Sequence, residues 1–395
     1  MMKTKMNTNF IVFHCMAHKL ELAVHDVLKV VTELEHFRMF VDTLYSHFSR
    51  SPKNQNELKA VAEDLHVQLL KVVRTFDVRW VASSFRSVCA IWQSYPALVG
   101  HFQLCSSDSN RNARERAKCK GLYNKLTQWF FVAELAIIKD ALEPIKSLSL
   151  YFQTREASVI TADAQISTTI DTLKAMKTDD GLSTLEFFDE FRRNNCFRDV
   201  PLKQPSDAER KKFCELKAKF FQGLVDNLSA RFRDAGSTMH DATVLQKEHW
   251  PKSAEARILF GDREIVELCK SVKLLHGAAA IVHQYRLLKN GKASEAGVEL
   301  QELNQRLSVL PISSAECERG FSCMNLTHTA QRNALDISTV RDLMFIKVNG
   351  PPLEHFRAEE YAAMWIKDGR HSASDKPSGR KAPDEHVQHH CKLFI

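Results

Sequence analysis

Long apolar runs are missing from this sequence. No stretch of roughly 18 unbroken apolar residues occurs, so no transmembrane helix is expected. The opening residues, Met1-Met2-Lys3-Thr4-Lys5-Met6, lack the apolar core of a secretory signal. No Gly-rich phosphate loop, Gly-x-Ser-x-Gly elbow or Ser-His-Asp order is evident, which removes the usual signatures of phosphate binding and acyl transfer. No internal repeat is found. Cysteine is present, 10 in all, but without paired spacing, and reduced core thiols are the simplest reading. Strand patterns are also scarce: one apolar run at 9–13 and a weaker candidate near Val72.

What is present is helical. The 395 residues suffice for two or three domains with a sizeable core, and 44% hydrophobic with 26% charged residues is a globular composition. Lys plus Arg number 55 against 48 Asp plus Glu, a net charge of +7 that permits a polyanionic partner without demanding one. Helical rhythm runs from Cys15 through Leu20, Val27 and Leu34 to Phe37, and on with a break toward Phe48. Ser51-Pro52-Lys53-Asn54 reads as a turn, 56–73 as an amphipathic helix, and Ser83-Ser84 as the cap of a helix toward Pro96. One core helix is expected over 121–153, bent near Pro144, with others over 165–176, 207–232, 263–288 and 299–307. The segment 194–206 reads as a loop, and the tail 367–395 as disordered, its His386, His389, His390 and Cys391 included.

The most organised stretch is 311–352. Pro311 ends what precedes it. Ser313 and Glu316 have capping-box spacing, with Ile312 and Cys317 placed to staple it. Cys317, Phe321 and Met324 form an apolar stripe on the helix that follows. A second helix opens near Asp336 or Ser338 and presents Val340, Leu343 and Met344. Asn349-Gly350 is expected to stop it in the left-handed conformation, and Pro351-Pro352 to forbid continuation.

The string Ser314-Ala315-Glu316-Cys317-Glu318-Arg319-Gly320-Phe321-Ser322 resembles the C-terminal signature of hAT-superfamily DNA transposases. Arg332-Asn333-Ala334-Leu335 and Leu343-Met344-Phe345-Ile346 resemble the rest of that dimerisation region. Upstream, Phe13-His14-Cys15-Met16-Ala17-His18 resembles the family's Cys-x-x-His segment, and Asp77-Val78-Arg79-Trp80 its Arg-Trp segment. The matches occur in the family's order over 11–349.

The resemblance implies a ribonuclease-H-like core interrupted by a large helical insertion. It also implies three carboxylates holding divalent metal, as hard cations and two-metal phosphodiester chemistry require. Glu318 matches the third carboxylate. The first two are aspartates ahead of the Cys-x-x-His segment, where this sequence has no Asp or Glu. The expectation is therefore a mainly α protein. Its parts are a remnant strand of the core (1–14), an all-helical insertion region (15–300), a C-terminal dimerisation region (301–366) and the tail. The expected function is that of a truncated or domesticated, transposable-element-derived protein. It is not an enzyme, uses no cofactor or metal, binds no small-molecule substrate or membrane, and acts in the nucleus by dimerising with itself or related hAT-like chains. Two alternatives stay open: a nucleic-acid-binding module, and a fragment of an active transposase whose aspartates lie upstream.

The residues expected to carry association are Phe321, Met324, Val340, Leu343 and Met344; the same side chains would serve equally as an internal packing stripe. DNA contact would fall to Arg79, Trp80, Arg319 and Arg332. Arg79 and Trp80 read either as a stacking platform for an unpaired base or as a packed tryptophan with its neighbour. Cys15 and His18 read as half a zinc site or as a packed pair. Arg111, Arg114, Arg116, Lys118 and Lys120 read as phosphate ligands or as a solvated charge run. Glu318 beside Arg319 also fits a local ion pair at a helix start.

Overall fold

The structure, a computed structural model, describes residues 14–74, 80–233, 237–274 and 277–367. The expected strand at 9–13, Arg79 and most of the expected tail lie outside these residues, as does the side chain of Trp80. The chain divides into two compact units, Met1–Cys317 and Glu318–Ile395. Among the described residues it is mainly helical, with one two-stranded antiparallel sheet, Cys196–Phe197 on Val200–Pro201.

The first unit is built on a helix that has almost no wet face. Its opening helices are α1 (Met16–Val30), α2 (Thr32–Ser49), α3 (Pro52–Asp64), α4 (Trp80–Gln93), α5 (Tyr95–Ser107), α6 (Ala113–Leu126) and α7 (Trp129–Tyr151). Along α7 the side chains Phe131, Val132, Ala133, Leu135, Ala136, Ile137 and Ile138 are all buried, as are Ala141, Leu142, Ile145 and Leu148. An α-helix apolar all round must be enclosed. Here α4, α8 (Val159–Thr178), α9 (Leu182–Asn194) and α10 (Asp207–Arg233) enclose it. Behind them come α11 (Ser237–Ala242), α12 (Ala254–Arg257), α13 (Asp262–Ser271), α14 (Ala278–Lys289) and α15 (Val298–Ser308). Leu300, Leu303 and Leu307 of α15 are buried in this same core.

Several boundaries differ from the sequence reading, each for a local reason. Ser51-Pro52 starts α3 rather than forming a turn: the Ser51 hydroxyl accepts the Asn54 amide, and Pro52 sits in the first turn, where its missing N–H costs nothing. The expected helix over 56–73 stops at α3's end because His66 turns left-handed (φ 54) and the Val67 amide closes onto the Ala62 carbonyl at 2.8 Å. Residues 67–74 then run extended along α4 and α5. The Ser94 and Ser87 hydroxyls accept the Leu70 and Val73 amides. The expected 263–288 helix breaks in the same manner at Lys273 (φ 60), with the Leu274 amide on the Cys269 carbonyl at 2.7 Å.

The 121–153 helix is two helices. Between them the Tyr95 hydroxyl donates to the Leu126 carbonyl at 2.7 Å and the Lys203 amide donates to the Thr127 carbonyl at 3.1 Å. These outside donors satisfy carbonyls that a continuing helix would have used. Helix α5 had no forecast, and neither did α9, although both are largely buried on one face.

Two carboxylates are buried on α7, with opposite fates. Asp140 accepts the Ser183 and Thr184 amides at 2.8 and 2.9 Å and the Thr184 hydroxyl at 2.7 Å. It thereby caps α9 from outside, with negative charge at the helix's positive end. Glu134 is 2% exposed and its Oε1 has no hydrogen-bond partner among the described residues. Burial pushes its carboxyl up to about 7, with Lys125 pulling the other way.

Replacing Asp140 by Ala leaves buried donors at the start of α9 unpaired and should cost about 1–3 kcal/mol in denaturant unfolding. For Glu134 the sign follows from proton linkage. Between its ordinary value of 4.5 and the folded value of about 7, the native state holds a proton that the unfolded state has released. Stability therefore falls as pH rises through that window and stays reduced above it. Glu134→Gln should remove the decline: its melting temperature should exceed the wild type's above neutral pH, by the equivalent of about 3 kcal/mol at most, and the gap should close below the carboxyl's ordinary range.

Candidate functional site

Two of the signature segments meet at the N-terminus of α1. Cys15 stands at the N-cap position of that helix without a side-chain cap bond, and its sulfur lies 3.5 Å from the Ser314 hydroxyl and accepts the Ser314 amide at 3.4 Å. The Met16 amide donates to the Ile312 carbonyl at 2.8 Å. Residues almost 300 apart in sequence are thus joined within the first unit, by backbone groups that would otherwise be orphaned helix-end donors. The Ser313 hydroxyl accepts the Ala315 amide at 3.3 Å and donates to the Phe152 carbonyl at 2.5 Å, while Glu316 takes Arg155 in an ion pair at 2.9 Å. Ile312 is buried, but Cys317 is exposed, so the expected staple between them is not made. The apolar core of the first unit outcompetes the local contact for Ile312.

The third segment attaches about one and a half turns further along α1. Glu21 accepts the Val81 amide at 3.1 Å and so caps the start of α4, where the Arg-Trp segment ends. The sequence reading had not given Glu21 a role. Its signal was available in principle: an acidic residue one helix turn beyond His18, on a helix whose other face is apolar. His18 itself is exposed. Among the described residues Cys15 and His18 belong to no group of three metal-ligating side chains close enough to share an ion. The geometry favours the packing role for Cys15.

The second unit carries α16 (Ala315–Thr327), in which the unit boundary falls, α17 (Ile337–Asn349) and α18 (Ala358–Lys367). Asp336 caps α17 by accepting the Thr339 amide at 2.7 Å, and this bond holds its carboxyl below the usual range. At the other end Gly350 is extended (φ −68, ψ 157), not left-handed. Pro351 explains the difference, because the residue before a proline is driven to extended backbone. The Gly350 amide still closes onto the Ile346 carbonyl at 2.7 Å.

Neither α17 nor α18 buries a side chain. Of the association candidates, Phe321 is 63% exposed and Met324 is exposed, whereas Val340, Leu343 and Met344 are half-buried. The reading did not name the exposed apolar side chains Phe345, Ile346 and Val348 on α17, or Tyr361, Met364, Trp365 and Ile366 on α18. Tyr361, Met364 and Trp365 recur at helical spacing, which was the available signal. Phe356 stacks on Tyr361 with ring centroids 4.9 Å apart.

Of the residues expected to touch DNA, Arg79 and the side chain of Trp80 lie outside the described residues. Arg319 and Arg332 are exposed. In the basic run, Arg111 is a correction: it is 6% exposed and donates to Asn54 Oδ1 at 3.0 Å and to Glu57 Oε2. A guanidinium buried on a carboxylate is not offered to phosphate. Arg114, Lys118 and Lys120 are exposed on α6, whose cap is Asn112. Glu318 is exposed, and among the described residues it belongs to no group of three acidic, His or Cys side chains that could share an ion. No helix among the described residues is long and apolar enough to cross a membrane. A scan against protein-family models finds no match for the chain.

Capping and packing make opposite forecasts for two neighbours on α1. Glu21→Ala should lower stability by about 1 kcal/mol, the usual size of a lost helix cap. His18→Ala, at an exposed position, should stay within about 0.5 kcal/mol of the wild type in the same urea titration.

Proposed function

We propose that this chain is a hAT-transposase-derived protein that works by association, with α16–α18 as its docking element for a second copy or a related chain. One observation carries the reading. Helices α17 and α18 bury nothing, yet expose Phe345, Ile346, Val348, Met364, Trp365 and Ile366. Exposed apolar side chains scattered singly are ordinary, but this many large ones on two successive short helices favour a surface that gains by being covered. Aromatic anchors such as Phe345 and Trp365 are the residue types that dominate interface energetics. The sequence resemblance supplies the kind of partner, because its dimerisation region corresponds to this stretch. On this reading the C-terminal helices and the segment at 1–14 descend from a ribonuclease-H-like core, the helices of 15–300 from its insertion, and the protein acts in the nucleus.

The same proposal assigns no DNA cleavage to this chain. In this sequence Glu318 is the residue that resembles a metal-binding carboxylate of the family, and a two-metal site needs several. Magnesium- or manganese-dependent nicking that disappears in Glu318→Gln would overturn that half of the reading.

For association, multi-angle light scattering of the full chain should give the mass of a dimer. Leu343→Asp, and separately Ile346→Asp, should give the monomer mass with unchanged helical circular dichroism. A wild-type chain that is monomeric at all workable concentrations sinks the proposal. So does a dimer that both variants leave intact.

A further inference from the structure

Away from all of the signature segments, a cleft of about 590 Å³ opens on the first unit where the start of α7 meets α8, α9 and α10. That volume lies within the roughly 300–1,000 Å³ usual for small-ligand sites. Its floor is aromatic. Trp129 of α7 lies parallel to Phe188 of α9, with ring centroids 6.0 Å apart and an interplanar angle of 12°. Phe213 of α10 stands nearly perpendicular to both, at 5.5 and 5.8 Å. Trp129 and Phe213 are buried, whereas Phe188 is only half-buried.

The rim is cationic. Lys177, Arg192, Arg210 and Lys217 line the cleft against a single carboxylate, Asp180. That carboxylate is already engaged. The buried Lys217 donates to Asp180 Oδ1 at 2.6 Å and to the Asp179 carbonyl at 2.9 Å, which ties the turn between α8 and α9 to α10. Arg192 pairs with Asp189 at 3.1 Å, but both side chains are largely exposed, where such a pair is worth little. Lys177 donates to the neutral Gln222 side chain at 2.8 Å. Arg210 lays its guanidinium over the Trp129 ring, 5.5 Å from the centroid. Among the described residues neither Lys177 nor Arg210 forms an ion pair.

We propose that this cleft binds a free nucleotide, its phosphates held by Arg210, Lys177 and Arg192 and its base set against the Phe188 ring. Three features select that class. Once Asp180 has neutralised Lys217, three lining cations are left, which suits a polyanion better than a single carboxylate. An aromatic wall beside guanidinium planes suits a flat ring, because any base can stack on either. The cleft is of a size for one small ligand. Cations alone would hold an inorganic anion, and the aromatic wall alone an uncharged ring; together they fit a ring that carries phosphate.

The test uses the purified full chain. Isothermal titration with ADP should show one site of micromolar affinity. Adenosine, which lacks phosphate, and inorganic tripolyphosphate, which lacks a ring, should each bind at least about tenfold more weakly. Arg210→Ala and Lys177→Ala, both at exposed positions, should each weaken ADP about tenfold. Lys120→Ala, an exposed cation outside the cleft, should leave it unchanged. A second readout needs no variant. Cys214 is exposed and lines the cleft, while Cys317 is exposed and does not. ADP should therefore slow alkylation of Cys214 by iodoacetamide, but not of Cys317, when the labelled peptides are resolved by mass spectrometry. No binding at millimolar ADP overturns the site. So does tripolyphosphate binding as tightly as ADP, an affinity unchanged in both cleft variants, or Cys214 alkylation that ADP leaves alone. A single-stranded oligothymidylate that binds more tightly than ADP overturns the choice of a free nucleotide. These readouts are independent of whether α16–α18 associate.

Discussion

The burial of α7 is the constraint from which most of this architecture follows. Its apolar residues occur on every side of the helix, so no single neighbour could cover them. Helices α4, α8, α9 and α10 each take part of the surface, and their order in the chain is arranged to let them. Two carboxylates went in with the helix. Asp140 is satisfied by the start of α9, whereas Glu134 has an unpartnered Oε1 among the described residues and burial pushes its carboxyl up. Packing demand on α7 outweighed the desolvation of Glu134, and the molecule carries that cost at neutral pH.

The signature segments are tied to this body at its ends. Cys15 and Met16 hold 312–314, Ser313 reaches Phe152 at the end of α7, and Glu21 caps α4. These bonds link positions far apart in sequence, and each satisfies a helix-terminal group as it does so. The segments therefore have a structural duty in this chain, separate from any chemistry they resemble. The second unit has the opposite character. Its helices are short, and α17 and α18 leave large apolar side chains exposed.

Much of this was legible beforehand because it depends on local rules. The helical content, the core character of 129–151, the start of α17 at Asp336 and the end forced by Pro351 all follow from periodicity, capping chemistry and proline sterics. Two of the stops that were missed share one cause. His66 and Lys273 follow helix ends in the left-handed conformation without glycine, and the one glycine expected to do so, Gly350, does not. For L-residues that conformation is costly in isolation. It is adopted where tertiary packing of the following segment repays it, as with Val67 and Leu274.

The candidate sites divide along the same line. Residue type and spacing were enough to single out the C-terminal apolar stripe and to flag Arg111 as a charge of interest, because both are properties of a short stretch. Tertiary packing decided that Arg111 would be buried on Glu57 and that Cys15 would serve 312–314. It also decided that His101 would meet His47 and that Cys105 would meet Glu57. Those contacts cross between helices far apart in sequence, with no fixed spacing to betray them. A helix sequence specifies which side chains share its face, but only the crossing of helices specifies which faces meet.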